Sequence, residues 1–237
     1  MTHRRFIWFS LFSVLMLALF IALGTWQLQR LAWKEKLVAE VEMRKEEPII
    51  TLTADLQDIP EEYRYVNLAG TCQYIDSIRL QAKYYQGKNG FQYLVPVKLN
   101  DEVAVIVNLG WYPEKEVPLY TQNAGCEVKG IVRTRFKEPM RFLPQNKPEK
   151  NFWLWSNIPQ LVSFLQAKKT YSKIRFLPII VQRIGETGNS TLYPIPLSTD
   201  YNYRNDHLQY AITWYALALV TVVMYLFFWR AQKRQED

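Results

Sequence analysis

Histidine and cysteine are the scarce residues of this 237-residue chain, with two of each. The histidines are His3 and His207, so a Ser-His-Asp or Cys-His site would have to be built on His207. No G-x-S-x-G, H-E-x-x-H or G-x-G-x-x-G run occurs. Cys72 and Cys126 lie far apart with no C-x-x-C, which argues against a thiol oxidoreductase or a copper carrier with paired thiolates. They read either as one disulfide of an exported domain or as two buried small residues in adjacent strands. The carboxylates are scattered and form no acid/base pair. The expectation is a protein that is not an enzyme.

Charge is also missing, from two stretches at the ends: Phe6 to Gln29 and Leu208 to Trp229. At ~1.5 Å per residue each can cross a hydrocarbon core of ~30 Å. Arg4 and Arg5 with Ala22-Leu23-Gly24 imitate a cleavable signal, but the apolar run exceeds the usual ~7–15 residues, so a retained anchor is expected. Arg230, Lys233 and Arg234 outweigh Arg204 around the second stretch, which places both termini in the cytoplasm and the middle across the membrane. Arg30, Lys34 and Lys36 follow the first stretch as densely as Arg4 and Arg5 precede it, but charges beside a long translocated segment count less. Trp26, Trp33, Tyr201, Tyr203, Tyr210, Trp214 and Tyr215 read as interfacial aromatic belts against membrane lipid.

The expected fold class is a membrane-anchored α+β protein: a transmembrane helix over 6–28, one β-rich extracytoplasmic domain over 30–205, a second transmembrane helix over 208–229 and a basic cytoplasmic tail over 230–237. The middle, about 175 residues, can bury a real core. Strands are predicted at Ile49–Thr53, Tyr63–Ala69, Ile78–Tyr84, Phe91–Leu99, Val103–Leu109, Glu127–Phe136 and Lys173–Arg183, rich in β-branched and aromatic residues with turn signals between. A helix is predicted from Asn157-Ile158-Pro159, with an Asn cap and Ile158, Leu161, Val162 and Leu165 on one face. Leu31–Lys45 reads as a charged stalk continuing the first helix. Residues 139–150 and 185–206 read as loops. The second is long enough to imply function, and its Tyr193-Pro194-Ile195-Pro196 suggests a docked segment.

The net charge of +7 is spread along the chain and includes the membrane flanks. No basic helix or phosphate loop stands out, and no nucleic acid partner is expected.

Three segments carry a resemblance. Gly24-Thr25-Trp26-Gln27-Leu28-Gln29-Arg30-Leu31-Ala32-Trp33-Lys34, Val107-Asn108-Leu109-Gly110-Trp111-Tyr112-Pro113 and Asn205-Asp206-His207-Leu208-Gln209-Tyr210-Ala211-Ile212-Thr213-Trp214 are similar, in content and order, to the signatures of the Surfeit-locus (surfeit-one, Shy1-like) cytochrome c oxidase assembly proteins. Leu109 departs from an expected arginine, and Asp206 from a common asparagine. The resemblance implies an assembly factor that assists delivery of haem a into the largest oxidase subunit, with the haem a synthesis machinery as a further partner. The alternative is a membrane-tethered scaffold that binds oxidase subunits without touching haem. His207 is the expected axial ligand to haem iron, on a helical face with Tyr210, Ala211, Trp214 and Ala218 that would hold a porphyrin between the two membrane helices. Arg30 and Arg204 are the expected propionate partners. Trp26 and Gln27 would close the pocket, and Trp111 in its Gly-Trp-Tyr-Pro turn would meet membrane or a partner. With no Arg-rich presequence before Phe6, the expected location is a bacterial plasma membrane, the alternative a mitochondrial inner membrane.

Overall fold

The computed structural model describes residues 3–115, 122–134, 144–185, 193–196 and 205–234. The chain divides into two units, residues Val41–Asp200 and the pair formed by Met1–Glu40 with Tyr201–Asp237.

The first unit is a barrel. Seven strands, β1 (Ile50–Thr51), β2 (Tyr65–Cys72), β3 (Ile78–Tyr85), β4 (Lys88–Lys98), β5 (Val103–Pro113), β6 (Ala124–Arg133) and β7 (Arg175–Arg183), line up as β1-β2-β6-β7-β5-β4-β3. A further pairing of Thr71 and Cys72 with Lys98 and Val97 joins β2 to β4 and closes β2, β6, β7, β5 and β4 into a ring. Register shifts in β3/β4, β4/β5 and β5/β7 supply the local bends that closure needs. β5 and β7 run parallel, as do β1 and β2; the other ladders are antiparallel.

All seven expected strands are present, most with both ends within a few residues of the sequence reading. β5 reads as an almost unbroken apolar run because both of its faces are covered. Val103, Val105, Val107 and Leu109 point into the barrel with Val66, Val95, Val97, Ile179 and Val181. Ala104 and Ile106 point out, beneath helix α2 (Ile158–Gln166), with Leu94, Trp153, Tyr171 and Ile180. Period-two alternation thus feeds two cores from one strand. Each fully buried Val, Leu or Ile contributes roughly 1.5–3 kcal/mol. α2 starts where the sequence says: Asn157 Oδ1 accepts from Gln160 N at 3.0 Å, and Pro159 sits in the first turn, where a missing N–H costs no helical bond.

Cys72 and Cys126 form a disulfide between neighbouring strands β2 and β6, with Cα atoms 5.8 Å apart, which decides between the two readings of the pair. Trp111 is not in a turn. It lies inside β5 and is only 3% exposed, its indole N–H donating to Lys83 O at 3.2 Å. Ile195 bonds Trp111 through both backbone groups, at 2.7 and 2.8 Å, so the Tyr193–Pro196 segment of the long loop docks on the barrel. Gly110 makes room for it: at φ +127° a Cβ would lie 2.0 Å from Ile195 O. Leu109, in place of the expected arginine, belongs to the barrel interior. Residues 186–192 and 197–204 of the long loop lie outside the described residues, as do 139–143 of the earlier one.

Candidate functional site: the helix pair

α1 (His3–Glu46) is unbroken, so the span and the charged stalk are one helix of ~66 Å. Its partner, α3 (His207–Lys233), and α1 are each long and apolar enough to cross a membrane. They pack antiparallel: Phe9 meets Phe228 with ring centroids at 4.9 Å, Phe20 stacks on Trp214 at 5.9 Å, and Gln27 reaches His207.

The burial pattern of α3 is a heptad. His207, Ala211, Trp214, Ala218, Thr221, Tyr225 and Gln232 are buried or half-buried, and every other residue from Leu208 to Arg234 is exposed. In α1 the same 3-4 spacing picks out Ser10, Ser13, Leu17, Phe20, Gly24 and Gln27. A 3.5-residue repeat keeps one seam facing the partner helix. The residues buried deepest, Ser13, Gly24, Ala211 and Ala218, are small, which lets the backbones approach where lipid offers no hydrophobic drive.

Polar side chains on this seam and beside it find partners across it. Ser10 Oγ donates to Phe6 O at 3.0 Å, so the Tyr225 hydroxyl, 3.3 Å away, donates to Ser10. Thr25 Oγ1 donates to Ile21 O at 2.9 Å and accepts from Tyr215 at 3.1 Å. The Tyr215 ring lies against Gly24, where a Cβ would come within 2.9 Å. At the end of the pair His207 Nδ1 meets Gln27 Oε1 at 2.7 Å. An amide oxygen can only accept, so with this contact a neutral ring would carry its proton on Nδ1 and its lone pair on Nε2. That is the arrangement of a histidine prepared to bind a metal through Nε2, its other nitrogen fixed by an oxygen acceptor.

The sequence-expected residues divide into two groups. His207, Gln27 and Trp214 are on the seam. Tyr210, Trp26 and Arg30 are exposed, and Arg30 lies over the Trp33 ring at 4.1 Å. At ~100° per residue on two antiparallel helices, Tyr210, Trp26 and Arg30 all fall on the same flank of the pair, beside the His207–Gln27 bond. Arg204 lies outside the described residues. Between the helices Phe20 stacks on Trp214 and the Tyr215 ring lies against Gly24. Among the described residues no group of three or more His, Cys, Asp or Glu side chains gathers anywhere. Sequence reading found His207, Ala211, Trp214 and Ala218 of the α3 seam but missed the α1 side, although the 3-4 spacing of Ser10, Ser13, Gly24 and Gln27 carries its signal.

A closed β-barrel carried between two membrane-length helices, with an oriented imidazole where the second begins, defines the class of protein. The family model described as the SURF1 family matches residues 14–219. The chain is 31% identical to "Surfeit locus protein 1" of Mus musculus, across 94% of this chain and 76% of that protein. It is 30% identical to the "SURF1-like protein" of Monosiga brevicollis, across 86% and 81%, and 26% identical to that of Rickettsia felis, across 93% and 96%. The chain belongs to the SURF1 family.

Proposed function

We propose that the chain is an assembly factor for cytochrome c oxidase that handles haem a on its way into the largest oxidase subunit, in a bacterial plasma membrane with both termini cytoplasmic. Membership of the SURF1 family supports the oxidase-assembly role, and two membrane-length helices support the location. The observation that carries the haem reading is the 2.7 Å bond from His207 to Gln27 across the helix pair. Gln27 holds the imidazole in the tautomer that leaves Nε2 free for iron, and Trp214, stacked on Phe20, fixes the helix carrying it. Haem a is cargo here, and His207 Nε2 would hold its iron; the chain itself makes and breaks no covalent bond. On the flank, Tyr210 and Trp26 offer flat apolar walls, and Arg30, one turn beyond Gln27, offers a guanidinium to a propionate; Arg204, three residues before His207 in the sequence, is the second expected partner. The haem a synthesis machinery and the largest oxidase subunit are the donor and the acceptor in this reading.

The filled seam favours one second reading, a scaffold that binds oxidase subunits through its barrel and touches no haem. Pyridine haemochrome content of wild-type and His207→Ala protein, purified in parallel from a host that makes haem a, separates the two. The wild type is expected to carry haem and His207→Ala to lose most of it while still inserting, with Arg30→Gln losing less. Equal haem in the two, or none in the wild type, establishes the scaffold reading.

A further inference from the structure

The disulfide joins the two places where the barrel is held by the fewest backbone bonds. β2 pairs with β6 along its whole length, but β7 pairs with β6 only from Gly130 to Arg133. Among the described residues, the Ala124–Val128 half of β6 therefore has a single ladder neighbour, β2. Ring closure is made beside it and is short: Thr71 with Lys98, Cys72 with Val97, and Gln73 N donating to Pro96 O at 2.8 Å. Cys72 thus belongs to the closing residues and Cys126 to the one-sided half of β6. The two sulfur-bearing residues also differ in access. Cys72 is 0% exposed, inside the barrel core with Val66 and Val97. Cys126 is only partly buried, at the margin of that core between exposed Gly125 and Glu127, and a Cβ on Gly125 would meet nothing within 4 Å.

We propose that this bond is installed late, on a β2–β6 ladder already paired, by a disulfide-donating protein that enters at Cys126. Eight paired positions, from Tyr65 with Ile131 to Cys72 with Ala124, bring the two cysteines together without the bond. Thiol–disulfide exchange runs through a mixed disulfide on whichever thiol the donor can reach, and here only Cys126 is within reach. The Cys126 thiolate attacks one sulfur of the donor's disulfide, and the donor's other sulfur leaves as a thiol. The Cys72 thiolate, whose Cα is 5.8 Å from that of Cys126, then attacks Cys126 Sγ. The mixed disulfide breaks, the Cys72–Cys126 bond forms, and the donor departs as a dithiol, carrying two electrons and the two protons of the chain's thiols. The opposite order would require a protein donor to reach a sulfur inside the core. The partner that fits is a thiol–disulfide exchanger of an oxidising compartment. The assignment involves neither haem nor the helix pair.

Two measurements on the full-length protein test it. Wild-type protein, reduced under native conditions and pulsed with iodoacetamide, should be alkylated at Cys126 about tenfold faster than at Cys72, as peptide masses will show. The donor step is read in bacterial cells quenched with acid and analysed without reductant. Cys72→Ala should accumulate a reductant-sensitive adduct between Cys126 and the host's disulfide donor, and Cys126→Ala about fivefold less, because its remaining thiol is buried. Hydrogen exchange at the β5–β7 ladder verifies that each variant keeps its barrel. Equal alkylation of the two cysteines, equal adduct from the two variants or no adduct from either would overturn the assignment.

Discussion

The barrel and the helix pair bury polar groups by opposite rules. In the barrel the interior is mainly Val and Leu with Phe91, Tyr93 and Tyr112, and buried polar side chains such as Glu62 and Asn108 are tied to neighbours in the same fold: Glu62 to Arg133 and Thr134, Asn108 to Gln92 and to Gly110 N. Water drives that core together, so apolar area suffices. The helix pair has lipid around it, where leucine gains little by facing leucine, and its seam holds Ser, Thr, Gly, Ala, Gln, Tyr and His instead. Most of these polar groups serve the packing of two helices. His207 differs from them in carrying a second ring nitrogen that the contact with Gln27 does not use.

The comparison can be broken most severely in the barrel. Trp153 is fully buried beneath α2, so Trp153→Ala should cost ~3–5 kcal/mol, read as a shift in the denaturation midpoint of the domain, since no water-filled alternative exists for that volume. A change of less than ~1 kcal/mol would mean that the outer layer is not a core.

The helix pair should respond to size, not to lost apolar area. Gly24→Leu drives a side chain into the Tyr215 ring and breaks the Tyr215–Thr25 bond, worth ~1 kcal/mol in lipid before the clash is counted. Disulfide trapping between cysteines at positions 20 and 214 should fall, whereas Leu19→Ala, on an exposed position, should leave it intact.

The smallest effect sharpens the barrel side. Tyr171 donates to Asp76 at 2.7 Å, and its burial, with that carboxylate, pushes its hydroxyl well above the ordinary tyrosine range. An acid whose pKa is raised by folding keeps its proton while the unfolded chain loses it. The stability it supports is therefore complete below about pH 10 and declines as pH rises past it. Tyr171→Phe should flatten that alkaline decline, measured as domain melting between about pH 9 and 11.

Much of the barrel is legible in the sequence because strand identity is local. β-branched alternation and turn residues such as Gly87 and Asn100 mark all seven strands, and Asn157 with Pro159 marks α2. Closure is not local: the β2–β4 contact at Cys72 and Val97 and the parallel β5–β7 ladder depend on where distant strands meet. Trp111 was misplaced for the same reason, since Gly110 and Pro113 look like turn residues until Ile195 is seen to need the glycine's space. In the helix pair, His207 and Gln27 could be named from their segments. Their bond could not, because it joins residues 180 positions apart.

The most direct test of the central claim asks whether His207 touches the iron. Electron paramagnetic resonance and absorption spectra of haem-loaded full-length protein, wild type against His207→Met, read the axial ligand itself. The account predicts that the imidazole signature of the wild type is replaced by a different spin state or a thioether signature in the variant. Identical spectra from two equally loaded proteins would show that another group holds the iron and would contradict it.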